Sequence, residues 1–380
     1  MKLLVIGAGM MGSSAAYDMA RSRQVESVTL ADMDKARVKS VAARINKLTG
    51  TKKVVATQLD ASRPTDAAKL MRGHSGALSA VPYFFNLGLC RAAIDSGCHF
   101  ADLGGNNTVV HQEFALAKAA EKKRVAIAPD CGLSPGMASI LAGELMRRVG
   151  GKADALKLYV GGLPEKPRPP FFYQLVFSVE GLINEYAEPA KILRTGEIHE
   201  IEPLTEPEEF FMAGFEPLIA FHTSGGTSTL PETFKDKVGE CFEKTLRYPG
   251  HFQLIRGLYD LGFFSSNKIR VGKTEVAPRA LTSQLFLKKL SGDEPDVTIM
   301  RIEAHNSSCI TSFTLVDHYD QETKMTSMMR TTAWPASIVL QMICSNTISK
   351  RGGIYQELDV PAQAFIEEME ERGVKIESSI

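Results

Sequence analysis

At 380 residues the chain has room for two domains of about 150 residues and for a sizeable apolar core. Its 44% hydrophobic and 23% charged residues are those of a globular protein, which excludes a disordered chain, a collagen and a coiled coil. Forty-four Lys and Arg balance 44 Asp and Glu, so no net field favours a nucleic acid or an anionic membrane.

Residues 2–6 (KLLVI) predict a short buried strand, followed at once by Gly7-Ala8-Gly9-Met10-Met11-Gly12 and a helix from Ser13 to Arg23. The next strand, Ser27 to Ala31, ends at Asp32, 20 residues beyond Gly12. Strand, GxGxxG, helix and a later acid together form the fingerprint of a dinucleotide site. Gly7 allows the tight turn, and Gly9 lets backbone N–H groups approach a pyrophosphate. Gly12 permits close helix–strand packing, Met10 and Met11 lie in the turn as cofactor-binding candidates, and the N-terminus of the helix that follows favours phosphate. Asp32 would accept the adenosine ribose hydroxyls and repel a 2′-phosphate. Met33 offers no cation to receive one, so the expected cofactor is NAD.

The alternation continues. Lys35–Leu48 places Val38, Val41, Ala42, Ile45 and Leu48 on one helical face, and Val54–Leu59 is a strand ending at Asp60. Asp60 has two readings, adenine contact or loop carboxylate. Strands are expected at Gly76–Val81, His99–Leu103 and Val125–Pro129, and helices at Phe85–Ser96 and Asn107–Lys123. This rhythm predicts an α/β fold, a Rossmann-type doubly wound parallel sheet over residues 1–135 with ligands at the carboxyl ends of its strands.

A helix from Pro135 to Val149 comes next, closed by Gly150-Gly151. The pattern then changes to strands at Leu156–Val160, Phe172–Phe177 and Ile192–Glu200, with a Pro-rich connection over Gly161–Pro170. Val297–Glu303 and Cys309–His318 predict a hairpin around Asn306-Ser307-Ser308. Lys237–Gly262 and Pro278–Leu290 read as helices on one face of that sheet. Residues 136–330 are therefore expected to form a second, α+β domain with a mixed or antiparallel sheet. An apolar helix at Trp334–Ser345 and a short tail complete the chain. A nucleotide domain followed by an α+β domain is the plan of a dehydrogenase that holds substrate at the cleft, an inference from fold analogy.

Six scattered cysteines without a CxxC pair read as reduced thiols. With no cleavage site after the N-terminal apolar run and no stretch of ~20 apolar residues, a soluble cytoplasmic protein is expected. No metal is expected, since no histidine lies in HExxH and no EF-hand loop occurs. No P-loop and no nucleophile elbow is expected either.

The strings GAGMMG, SAVPYF, FADLGGN and PDCGLSPGM closely resemble the nucleotide half of the saccharopine dehydrogenase family, and YVGGLP, SVEGLINEY, HTSGGTSTLPETF and TLRYPGH resemble its substrate half. Within it, GLINEY with HTSGGTSTLPET is most like the lysine 6-dehydrogenase members. The resemblance implies NAD-dependent oxidation of the ε-amino carbon of L-lysine to a semialdehyde with loss of ammonia. Saccharopine or carboxynorspermidine reduction is the alternative, and a non-catalytic NAD-binding protein a third reading. It also implies that Ala80, Val81 and Pro82 pass beside the nicotinamide ribose, that residues 331–380 complete the nucleotide domain, and that the chain forms homodimers through the substrate-domain sheet.

Amine oxidation needs a group to take the proton of an ammonium whose pKa is ~10.4. Asp102 and Asp130, at strand ends, are candidate acceptors or ion-pair anchors, and each reads equally as a turn residue. Cys131 beside them is a substrate-lining residue or a packed thiol. In the second domain His222 is a candidate proton shuttle, or a histidine satisfied in a loop. Thr227, among hydroxyls and glycines, and Tyr173 would line a small polar amino-acid ligand. Arg247 would clamp its carboxylate, or pair with a helix acid. His251 reads as a lining residue or as easily a surface residue.

Overall fold

A computed structural model of the chain describes residues 1–307 and 309–379. The chain divides into two compact units, Met1–Glu144 with Met329–Val374, and Leu145–Met328 together with the chain from Lys375 on.

The first unit begins with β1 (Lys2–Ile6), α1 (Met10–Arg21), β2 (Ser27–Asp32), α2 (Lys35–Thr49), β3 (Val54–Gln58), α3 (Pro64–Met71) and β4 (Gly76–Ser79). It continues with α4 (Asn86–Ser96), β5 (His99–Asp102), α5 (Asn107–Phe114), α6 (Ala117–Lys122), β6 (Ala126–Ala128) and α7 (Ala138–Arg148). The apolar run Leu3–Ile6 is buried on both faces, as a central parallel strand requires. Asp34 caps α2 by accepting the Ala36 and Arg37 N–H groups, and Gly50, in the left-handed region, closes it. Val38, Ala42 and Ile45 form the buried stripe of α2, whereas Leu48 is exposed, so the expected face is one turn shorter. The expected helix over 107–123 is two helices, and α7 starts three residues late because Ser134, Pro135 and Gly136 are not helical. Helix α3, which has Pro at its first turn, had no counterpart in the sequence pattern.

The second unit contains β7 (Ala153–Pro164), α8 (Val179–Ala187), β8 (Ala190–Arg194), β9 (Glu197–Ile201), β10 (Glu208–Phe210), β11 (Leu218–His222) and α9 (Leu230–Phe234). Then come β12 (Val238–Arg247), α10 (His251–Asp260), β13 (Ile269–Val271), β14 (Thr274–Val276), α11 (Pro278–Leu290), β15 (Asp296–Asn306) and β16 (Cys309–His318). The chain ends with α12 (Ser327–Cys344), β17 (Gly352–Gly353), α13 (Gln356–Asp359), α14 (Ala362–Glu371) and β18 (Glu377–Ser379).

The first sheet is parallel throughout, in the order β17-β6-β5-β4-β1-β2-β3. Chain order reverses between β1 and β4, the switch point at which such sheets bind ligands. The second sheet is mixed, in the order β10-β11-β12-β7-β15-β16-β18, with β8 and β9 attached through β12. Strand β17 extends the first sheet, but β18 pairs with β16. The last residues therefore depart from the expected return to the nucleotide domain.

Four local expectations are corrected. Strand β7 runs on through Gly161 and Gly162, which pack against Leu246 and Met328, so the Pro-rich connection starts later. Phe172–Phe177 is not a strand; Tyr173 joins Tyr186, Phe221 and Phe286 in an aromatic cluster. Ile192–Glu200 is the hairpin β8–β9, turned by Thr195 and Gly196, both at positive φ. The first half of the expected helix over Lys237–Gly262 is β12, held between β7 and β11. The β15–β16 hairpin forms as expected, although Ser308 of its turn lies outside the described residues. Among the described residues no helix is long and apolar enough to cross a membrane.

Candidate active site

The turn after β1 is shaped by what surrounds its glycines. Gly7 lies at φ +107°, and a Cβ there would stand 2.5 Å from the Ala80 carbonyl oxygen. A Cβ on Gly12 would stand 1.8 Å from the Gly7 oxygen. Both positions are closed to any side chain, and the first brings Ala80 and Val81, with Pro82 next, against the turn. Gly9 is the opposite case: a Cβ there would meet nothing within 4 Å. It precedes α1 with no capping side chain, so the first-turn N–H groups of Met10 and Met11 face an open cradle that fits a pyrophosphate. Asp32 binds this turn directly, accepting the Ala8 N–H at 2.7 Å on one oxygen and the Asp34 N–H at 2.9 Å on the other. Met33 beside it is 71% exposed. Asp60 is a loop carboxylate, holding the Ser62 hydroxyl at 2.6 Å and its N–H at 2.9 Å, bonds that keep its pKa low.

At the ends of β5 and β6 the sequence candidates Asp102, Asp130 and Cys131 come together. One Asp102 oxygen accepts the Gly104 N–H at 2.6 Å and the Asp130 N–H at 3.4 Å. Asp130 has φ +60°, and its carboxylate lies where a Cβ on Gly104 would be. Cys131 donates to the Ala128 carbonyl at 3.1 Å and receives the Gln356 amide at 2.8 Å. Burial, then the Asp102 charge, pushes its thiol well up, so it is a packed thiol rather than a nucleophile.

Glu113 on α5 completes this group, and sequence reasoning missed it. The available signal was its place three residues after Val110, on the buried face of the helix. Glu113 is 1% and Asp102 0% exposed, and neither Glu113 oxygen nor Asp102 Oδ2 meets a donor group. Burial raises Asp102 against its backbone hydrogen bonds, and raises Glu113 well above the usual carboxylate range with help from the Asp102 and Asp130 charges. Two adjoining buried acids cannot both ionise, so the proton stays on Glu113. The nearby string Gly132-Leu133-Ser134-Pro135-Gly136 does spell GxSxG, against expectation. It is not a nucleophile elbow: Ser134 is extended at φ −146°, and the left-handed residues are Asp130 and Gly136.

In the second unit, strand alternation separates residues that the sequence had grouped. Arg247 is 3% exposed, its guanidinium carbon 4.7 Å above the Tyr173 ring. It donates to the Tyr186 hydroxyl at 3.2 Å and the Leu246 carbonyl at 2.9 Å, and pairs with Glu185 at 3.5 Å. Tyr186 in turn lies 3.0 Å from His251 Nε2, whose Nδ1 is 2.7 Å from the Phe171 carbonyl. His251 is fully buried, not a surface residue, and burial then Arg247 push it down to about 3. Neutral, it donates from Nδ1 and accepts the tyrosine proton at Nε2. On the same face, Glu243 accepts the Thr223 and Thr245 hydroxyls at 3.2 and 3.4 Å. Burial, then the Glu185 charge, raises it to about 8. Glu185, with 28% of its side chain still accessible, is raised by burial against the pull of Arg247. Neither acid was a sequence candidate.

His222 pairs in register with Lys244 and so lies on the other face from Arg247. It bonds the Glu243 backbone carbonyl at 3.1 Å and Glu206 at 3.3 Å, edge-on to Phe242, and burial lowers its pKa. That face holds a cavity of about 210 Å³ lined by Lys157, Arg194, Glu206, Glu208 and Lys244 among others, with Arg194 paired to Glu206 and Lys244 to Glu208. Thr227 is committed to the Lys191 carbonyl at 2.8 Å. His222 and Arg247 therefore do not form one site.

Residues 3–127 match the family model for the saccharopine dehydrogenase NADP binding domain, and residues 132–374 that for the saccharopine dehydrogenase C-terminal domain. The NADP(+), L-glutamate-forming saccharopine dehydrogenase of Pyricularia oryzae is 25% identical over 246 residues, 63% of this chain and 53% of that protein. Its counterpart from Schizosaccharomyces pombe is 25% identical over 269 residues, 69% of this chain and 58% of that protein. The chain thus spans little more than half the length of these relatives. Among solved structures, apo saccharopine dehydrogenase (L-Glu forming) from Saccharomyces cerevisiae has a TM-score of 0.77 at 18% identity, covering 100% of this chain and 99% of that one. Homospermidine synthase from Legionella pneumophila, in complex with NAD, has a TM-score of 0.70 at 11% identity, covering 100% and 91%. Both likenesses are likenesses of fold.

Proposed function

The chain belongs to the saccharopine dehydrogenase family, and on that premise we propose that it is an NAD-dependent dehydrogenase of the ε-amino group of L-lysine. The family's chemistry is oxidoreduction at a CH–NH donor with a nicotinamide cofactor. In the proposed reaction L-lysine, NAD+ and water give 2-aminoadipate 6-semialdehyde, ammonium, NADH and a proton; the semialdehyde cyclises to piperideine-6-carboxylate. The observation that carries this reading is the group of buried carboxyls Asp102 and Asp130, at the ends of β5 and β6, with Glu113 of α5. An acidic strand end suits a cationic amine better than a substrate rich in carboxylates. The preference for NAD rests on Asp32 and its uncharged neighbour Met33.

A bound nicotinamide supplies the hydride acceptor. The protein's own work concerns the proton and the orientation of the amine. An ε-ammonium cannot give up hydride from the adjoining carbon until it is deprotonated, and the Asp102 carboxylate is the proposed acceptor. The Gly104 and Asp130 N–H groups fix one of its oxygens and so aim the carboxylate. Arg247 is the proposed carboxylate anchor of the second unit, its guanidinium already oriented by Tyr186 and Tyr173.

A second reading, saccharopine or carboxynorspermidine oxidoreduction, is favoured by the names of the relatives above. The test is to offer L-lysine, saccharopine, ornithine and carboxynorspermidine with NAD and, separately, NADP at alkaline pH. NADH and free ammonia formed from lysine are the expected result. Turnover of saccharopine or carboxynorspermidine alone would replace the reading with the second, and binding of NADH without any turnover would leave a non-catalytic nicotinamide-binding protein.

A further inference from the structure

The Asp102–Glu113 pair does more than fill the end of β5. Both side chains are sealed from water, and three of their four oxygens meet no donor group. The groups facing them are Asp130 and Cys131 after β6 and Cys90 on α4. No lysine, arginine or histidine among the described residues pairs with either acid. Two carboxylates placed together have eight lone-pair sites and nothing to donate. Burial of both as anions is untenable, and Asp130 adds further negative potential. One proton resolves the arrangement, because it turns one acid into the donor that the other lacks.

The two acids are not equivalent. Asp102 is held as an acceptor by two backbone N–H groups, whereas Glu113 receives none. The proton therefore belongs to the acid without donors. We infer that Glu113 is a positioning residue: as a neutral carboxylic acid it donates to Asp102 Oδ2, and so keeps Asp102 the ionised partner and sets the pH at which it can accept a proton. The role of Asp102 as acceptor of the amine proton rests on the proposed function; the protonation of Glu113 does not.

The test compares Glu113→Gln with Glu113→Leu. Glutamine keeps a donor toward Asp102 and cannot ionise; leucine keeps burial and removes the donor. The readout is the pH dependence of kcat, which reports groups of the substrate-bound enzyme, with whichever CH–NH donor the protein turns over. The expected result is an acidic limb unmoved in Glu113→Gln and moved upward by about one pH unit in Glu113→Leu, where a hydrogen bond no longer favours the Asp102 carboxylate. If Glu113 were an anion, both variants would move the limb downward; that result, or no movement in either, overturns the inference. A second measurement needs neither activity nor the leucine variant. Infrared difference spectra between wild type and Glu113→Gln at pH 8 should show a protonated-carboxyl stretch in the wild type alone, and its absence overturns the inference. A protein that turns over none of the amines but shows that band would retain the inference and lose the proposed function.

Discussion

Two of the places where the molecule buries carboxyls neutralise them differently. At the end of β5 and on α5, Asp102 and Glu113 pair with no cation among the described residues, and the proton we assign to Glu113 balances the charge. In the second unit, Glu185 and Glu243 lie around a buried arginine, with tyrosine, histidine and threonine side chains completing the hydrogen bonds. A proton can be taken up or released, whereas a guanidinium stays charged at any accessible pH. The first arrangement is thus suited to exchanging protons with a reaction, the second to holding a fixed positive charge against an anionic group.

The largest effect should come from removing that fixed charge. Arg247→Met leaves Glu185 beside a buried aromatic cluster without its counterion, and should cost about 3–5 kcal/mol in denaturant unfolding. A loss below about 1 kcal/mol would show that Glu185 has water enough to need no partner. In the other region the effect should fall on turnover. Asp102→Asn is expected to lower kcat on the order of 10²–10⁴-fold while NADH affinity, read by fluorescence titration, stays near that of the wild type. Wild-type turnover in that variant would reduce Asp102 to a turn residue.

Stability against pH sharpens the comparison further. Glu243 is raised from 4.5 to about 8 in the folded protein, so the folded state binds the extra proton. Stability from this group is present below pH 4.5 and declines as pH rises through 8. Glu243→Gln should flatten that decline and leave the variant on the order of 4 kcal/mol more stable than wild type at pH 9, relative to their difference at pH 4.5. Unchanged slopes would mean that Glu243 is already ionised when folded. The smallest expected change is that of Tyr186→Phe, which removes the hydroxyl between Arg247 and His251. It should cost about 1 kcal/mol, with a larger loss indicating that the chain of hydrogen bonds acts as one unit.

The nucleotide half was legible because its signals are local. The buried run before Gly7, the three glycines and Asp32 lie within one strand–helix–strand unit, where Gly7 and Gly12 stand at positions closed to a side chain and Asp32 accepts the Ala8 N–H. Strand β12 was misread because its residues, taken alone, suit a helix; two flanking strands decide otherwise. That His222 and Arg247 face different ways was hidden for a related reason. The two lie on neighbouring strands, but the alternation of side chains sends them to opposite faces.

The order of strands and helices over the first 130 residues, the glycine turn and the acid that grips it are written in the sequence itself, since backbone period and turn chemistry act over a few residues. Which charged side chains lose their water was decided only by the tertiary structure. Glu113 meets Asp102 across a turn, and Glu243 accepts a hydroxyl from Thr223, just past the end of the neighbouring strand. Desolvation depends on what distant segments bring to cover a group, and that covering turns ordinary surface residue types into a shared proton in one unit and a caged arginine in the other.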